Sequence, residues 1–216
     1  MITNEEQLRA LYEAPAERAL LKQQVDLDRY CLRFLALSPL CILSTAGPAG
    51  ALLDASPRGG KPGFVKAPDK HTLLLPDVGG NNRLDSMSNL LHDPRIGLLF
   101  LVPGFDETLR VNGTARLRDE AHYTALFRSD NPRIRLVIEV TVQEAYLHCA
   151  KAFMRARLWK PEAQVPRSAM PGMNQIVHAQ VGLKAPAEPH EVMVARYAHQ
   201  IAQEQGMQPD DAAQPR

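Results

Sequence analysis

The sequence predicts a mainly β (α+β) fold, a small barrel of six or seven short strands decorated by helices. Two observations carry this expectation. Short apolar runs such as LCILST (Leu40–Thr45) and HTLLL (His71–Leu75) are separated by Gly, Pro, Asn and Asp turn signals. The regular strand–helix alternation that a doubly wound sheet demands is absent.

The chain opens with helical sequence. Thr3 is placed to cap, with Glu6 three residues later as in a capping box. Pro15 suits the start of a second helix, running on to Leu37 with a break near Asp26. Pro39 ends it. Leu40–Thr45 then reads as a strand, AGPAG as a turn, and ALLDAS (Ala51–Ser56) as the hairpin partner. SPRGGKPG is loop by composition; FVKA and HTLLL are strands joined at Asp69-Lys70. Leu84–Asp93 reads as a helix closed by Asp93-Pro94, and RIGLLFLV as a buried strand. In TLRVNGTARLR, Leu109, Val111, Gly113, Ala115 and Leu117 face one way, and Thr108, Arg110, Asn112, Thr114 and Arg116 the other. EAHYTALF is a helix candidate, IRLVIEVTVQEAYLHC a long strand bent near Gln143, and KAFMRARLW a helix. After Trp159 comes a proline-rich connector, then two helices in NQIVHAQVG and HEVMVARYAHQIAQEQG. The organisation expected is N-terminal helices over 1–38, a barrel over 39–165, a helical extension over 166–206 and a disordered tail over 207–216.

Composition narrows the functional classes. A chain of 216 residues with 45% hydrophobic content can bury a sizeable core. A net charge of +1 sets up no general field for nucleic acid or an anionic membrane. Three scattered cysteines make no disulfide framework. The polar N-terminus does not read as a signal peptide, and no apolar run is long enough to span a bilayer, so a cytoplasmic protein is expected. The Asn-Gly-Thr sequon at Asn112 reads as coincidence in such a protein.

Several familiar motifs are missing: GxGxxG, GxxxxGK[ST], paired CxxC, HExxH and GxSxG. In His190-Glu191, Val194 stands where a second zinc-binding histidine would fall, and no metal is expected. Three polar stretches are candidates for binding. Ser56-Pro57-Arg58-Gly59-Gly60 sets a hydroxyl and a guanidinium beside flexible backbone, and arginine grips phosphate with two donors. The same composition also describes an ordinary surface loop. Gly79-Gly80-Asn81-Asn82-Arg83 precedes a helix whose first turn would hold Arg83 and Ser86 and offer free N–H groups to an anion; Asn82 acting as a plain cap is the alternative. His148-Cys149 with Lys151, Arg155 and Trp159 is the third. Neighbours on a strand point in opposite directions, so a catalytic Cys–His pair is not expected there, and the basic residues also suit a solvated helix face.

Taken in order, LSTAGPAGALLDASPRGGKPGFV, HTLLLPDVGGNNRLDSMSNLLHDPRIGLLFLVPG, ETLRVNGTARL and HCAKAFMRARLWKP resemble the pyridoxamine 5′-phosphate oxidase-like superfamily of FMN-binding split barrels. The likeness covers about residues 30–165 and is nearest to its FMN-dependent enzyme subgroup, with the SPRG–PGFV–PD–GNNR series. The resemblance implies a six-stranded antiparallel split barrel with flanking helices, forming a homodimer with FMN in clefts at the subunit interface. It implies cofactor-binding roles for Ser56, Arg58, Val65, Asn82, Arg83 and Ser86 around the phosphate. Thr108 and Arg110 would lie on the strand along the ring, and His148, Lys151 and Arg155 in a ring-contacting segment from the partner subunit. The activity implied is that of an oxidoreductase on a small organic substrate, with a nicotinamide donor as one possibility. The alternatives are a non-catalytic flavin-binding or sensor protein, and the same barrel with F420 or haem. Authentic pyridoxamine phosphate oxidases carry an Arg-x-x-x-Leu-Lys strand and an arginine-rich tail that this sequence lacks, and Gly60 replaces an aspartate frequent in the subgroup. Vitamin B6 oxidation is therefore not the activity expected.

Overall fold

The computed structural model describes residues 1–205. The expected tail over 207–216 lies outside the described residues. Seven strands form one sheet: β1 (Leu40–Ala46), β2 (Leu53–Gly59), β3 (Lys66–Asp69), β4 (Thr72–Asp77), β5 (Arg95–Leu101), β6 (Thr108–Arg118) and β7 (Leu136–His148). Their order is β2-β1-β5-β6-β7-β4-β3, and the sheet is not closed. The pairs β1–β2, β1–β5, β5–β6 and β3–β4 are antiparallel. This is the mainly antiparallel sheet with flanking helices of the split-barrel class. The sheet has seven strands where the resemblance implied six, because Lys66–Asp69 pairs with β4 and adds a short edge strand.

The helices are α1 (Glu5–Arg9), α2 (Glu17–Leu21), α3 (Arg29–Leu37), α4 (Asp85–His92), α5 (Ala121–Ala125), α6 (Lys151–Ala156), α7 (Met173–Val181) and α8 (His190–Glu204). The cap of α1 is Asn4 rather than Thr3. Asn4 Oδ1 accepts the Gln7 N–H at 2.9 Å, while Gln7 Oε1 accepts the Thr3 N–H, so the box sits one residue later than expected. The expected break near Asp26 separates α2, which ends at Leu21, from α3, which Asp28 caps by accepting the Tyr30 and Cys31 N–H groups. α6 stops at Ala156, short of Trp159, and Arg157 just beyond it takes a left-handed conformation with φ 52°.

The described chain divides into two compact units. The first comprises Met1–Leu75, Leu84–Arg116 and Glu139–Ala152. Its core is built on the alternation of the strands: Cys41, Leu43, Leu73, Leu75, Leu98, Phe100, Leu109 and Val111 are fully buried. Gly113 continues the inward row of β6, where its main chain lies against Thr141 of β7. The second unit comprises Pro76–Arg83, Leu117–Ile138 and the described chain from Phe153 to Gln205. It buries Phe127, Ile134, Val137, Ile138, Met193 and Ala202. In its C-terminal part, Glu188 accepts from Arg196 and from Asn174, tying α7 to the start of α8. That pairing with Arg196 holds the Glu188 carboxyl below the usual range.

Candidate functional site

By composition SPRGGKPG (Ser56–Gly63) reads as a loop following a strand that ends at Ser56. The structure instead extends β2 through Pro57, Arg58 and Gly59, which pair with Ile42, Cys41 and Leu40. Proline is tolerated because β2 is an edge strand, where a missing N–H breaks no inner ladder. Neither Gly59 nor Gly60 has positive φ; that role falls to Gly63, at φ 79°. The glycines thus do not form a flexible cradle. The strand does something more definite, placing Asp54, Ser56 and Arg58 on one face at two-residue spacing while Leu53, Ala55, Pro57 and Gly59 face solvent.

Helix α4 lies over that face of β2 and β1. Ser86, Met87 and Leu90 are buried there. Ser86 and Asn89, three residues apart and so on one side of the helix, make its polar ties to the sheet. Asn89 Nδ2 donates to Thr45 Oγ1 at 3.0 Å, and Ser86 Oγ donates to Asp54 Oδ2 at 2.6 Å. Ser86 Oγ also lies 3.1 Å from Ser56 Oγ and accepts from Arg58 Nη2 at 3.2 Å. The plain-cap alternative for Asn82 fails: the N-cap position belongs to Leu84, left-handed at φ 59°, and no side chain caps α4. A left-handed leucine costs about 1 kcal/mol.

Arg58 is the most telling member of this cluster. Its hydrogen-bond partners among the described residues, the Pro57 carbonyl and the Ser86 hydroxyl, are uncharged. Its Nε is buried and makes no hydrogen bond. A buried donor without a partner costs about 1–3 kcal/mol, so such an atom marks a place for an acceptor. Cys41, across the register from Arg58, has its thiol pushed up to about 12 by burial, partly offset by the guanidinium charge.

The remaining expected site residues are distributed as follows. Val65 is buried just before β3, and Thr108 is buried at the start of β6. Arg110 is exposed, with its guanidinium carbon 5.9 Å from the centre of the Tyr146 ring. His148 ends β7 with its ring 6.4 Å from that of Tyr146. Lys151 opens α6, and its N–H donates to Cys149 Sγ at 3.5 Å. Asn82, Arg83 and Arg155 belong to the second unit; the Arg83 N–H donates to Asn81 Oδ1 at 3.1 Å, and Arg83 precedes α4 rather than lying in its first turn. Of the expected set, hydrogen bonds bring together Ser56, Arg58 and Ser86. Asp54 was missed. Its signal was present in the polar alternation Asp54, Ser56, Arg58, which becomes visible once the strand is carried past Ser56. Among the described residues no group of three or more His, Cys, Asp or Glu could hold a metal ion, and no helix is long and apolar enough to cross a membrane.

The open antiparallel sheet, with α4 clasped to an edge strand through a serine–arginine cluster, defines a split-barrel protein. The family model described as pyridoxamine 5′-phosphate oxidase matches residues 27–149, and the chain belongs to that family. Among solved structures, HupZ of Group A Streptococcus is similar at 14% identity, over 56% of this chain and 92% of that one, with a TM-score of 0.45. General stress protein 26 of Bacillus anthracis is similar at 12% identity, over 54% and 89%, with a TM-score of 0.40. A NimC/NimA family protein of Clostridium acetobutylicum is similar at 14% identity, over 57% and 88%, with a TM-score of 0.43. No curated protein matches the sequence significantly.

Proposed function

We propose that the protein is an FMN-binding flavoprotein, an oxidoreductase acting on a small organic substrate and distinct from authentic pyridoxamine phosphate oxidases. The observation that carries this reading is the buried, unpartnered Nε of Arg58 beside the Ser56 and Ser86 hydroxyls. A guanidinium with an unused buried donor suits a phosphate ester, whose oxygens it grips through charged N–H bonds. Membership of the family adds to it.

In this reading Arg58 donates to the FMN phosphate, and Ser86, with Ser56 bonded to it, holds the guanidinium in place. Val65, Thr108 and Arg110 are the candidates to orient the ring, and His148, Lys151 and Arg155 the candidates supplied by a second copy in a homodimer. Asn82 and Arg83 remain sequence-based candidates, tested by substitution on the same footing. When bound, FMN supplies the hydride and electron chemistry, so the chain's own task is to bind, orient and exclude water.

Absorbance of the purified protein tests the reading directly. A flavin doublet that survives gel filtration is expected, eluting well above the 23.9 kDa of one chain. A colourless protein that ignores added FMN, a single deazaflavin band or a Soret band overturns it. Anaerobic NADH or NADPH then distinguishes an oxidoreductase, whose flavin bleaches, from a flavin carrier.

A further inference from the structure

A serine hydroxyl has one proton and two lone pairs. The 2.6 Å from Ser86 Oγ to Asp54 Oδ2 is the length of a charge-assisted O–H···O⁻ bond, so the Ser86 proton lies on that side. Both lone pairs of Ser86 are then acceptors, one for Arg58 Nη2 at 3.2 Å and one for the Ser56 hydroxyl at 3.1 Å. The order Asp54, Ser86, Arg58 is thus a polarised chain with a buried serine (2% exposed) at its centre.

Resting on the reading of this cluster as a phosphate site, we propose that Asp54 is its positioning residue. By taking the Ser86 proton it makes Ser86 an acceptor, and that acceptor fixes the Arg58 guanidinium with Nε free to donate to a phosphate ester. A carboxylate offers an anion no donor and repels it, so direct contact with the ligand does not explain Asp54. Its link to Arg58 does explain it. Asp54 and Arg58 share one face of β2 and both bond Ser86 Oγ, so Asp54 orients the guanidinium through the serine and not by a direct hydrogen bond, and Nε keeps its N–H for the ligand.

The test compares FMN with riboflavin, which has no phosphate, by fluorescence titration, and follows the Arg58 Nε–H signal by NMR in the flavin-free protein. Asp54→Ala and Ser86→Ala are each expected to weaken FMN by about tenfold and to leave riboflavin affinity unchanged. Asp54→Asn, whose Oδ1 still accepts from Ser86, keeps FMN affinity. The Arg58 signal stays sharp in the wild type and Asp54→Asn and broadens in Asp54→Ala. Equal losses for FMN and riboflavin, or tighter FMN binding by Asp54→Ala, overturn the proposal. A wild type that binds no FMN defeats the flavin reading alone. The Arg58 signal still decides the role of Asp54 in that case, and an unchanged signal in Asp54→Ala overturns it.

Discussion

Arg58 Nη2 on β2 and Ser86 Oγ on α4 lie 3.2 Å apart, and this bond joins two segments separated by 28 residues at the one place among the described residues where a guanidinium keeps a buried donor unused. Removing that guanidinium removes the charged partner of the proposed phosphate. Arg58→Ala is expected to weaken FMN by about 2 kcal/mol, roughly thirtyfold, with riboflavin affinity unchanged. Titration of flavin fluorescence checks it. Arg58→Lys recovers only part, because an ammonium lacks the planar fork.

Gly113 answers to packing alone. A Cβ at this position would sit 2.0 Å from the Thr141 carbonyl oxygen and 3.0 Å from its carbon, both main-chain atoms of the neighbouring strand. Neither strand gives way cheaply inside a paired sheet. Gly113→Ala is expected to destabilise the protein by about 3 kcal/mol. Urea unfolding should show a lower midpoint at an unchanged slope.

The three cysteines should react unequally. Burial pushes the Cys31 thiol up to about 12, with the Asp28 carboxylate adding to the rise, and burial does the same to Cys41. Cys149 is exposed. An aromatic disulfide reagent at neutral pH is expected to titrate one thiol in the native protein and all three in denaturant. Cys149→Ser should abolish the native reaction.

Asp28 gives the fold an acid-sensitive cap. The Cys31 N–H, then that of Tyr30, holds its carboxyl below the ordinary 3.8. A carboxyl lowered in the folded state stabilises fully above its unfolded value, and the contribution fades as pH falls through the folded one. Asp28→Ala is expected to cost about 1 kcal/mol at neutral pH. The gap between mutant and wild type should close below pH 3.8, which thermal melts across pH will show.

Much of the sheet was legible because burial and strand geometry repeat every two residues. The row Leu109, Val111, Gly113, Ala115 faces inward as the alternation requires, and the turn between β3 and β4 falls at Lys70-His71, one residue beyond the expected Asp69-Lys70. Errors gathered where local composition competed with position in the sheet. Pro57 and the glycines beside it suggest a loop, yet an edge strand accepts a proline, so β2 ran on. Thr3 and Asn4 are equally good caps by type, and the reach of the Gln7 side chain selected Asn4.

The candidate site divides in the same way. Ser56, Arg58 and Ser86 could be named from the order of polar stretches along the chain. Asp54 could not, because its meaning depends on sharing a strand face with Arg58 and on a serine arriving from 32 residues away. By itself the sequence determined the family, the alternation of the strands and the residue types available to hold a phosphate. Only the tertiary structure decided that Ser86 stands between Asp54 and Arg58, and that the Nε of Arg58 is buried without a partner. The reason is physical: periodicity follows from backbone geometry acting over a few residues, whereas the direction of a hydroxyl proton depends on which acceptor packing brings within 3 Å.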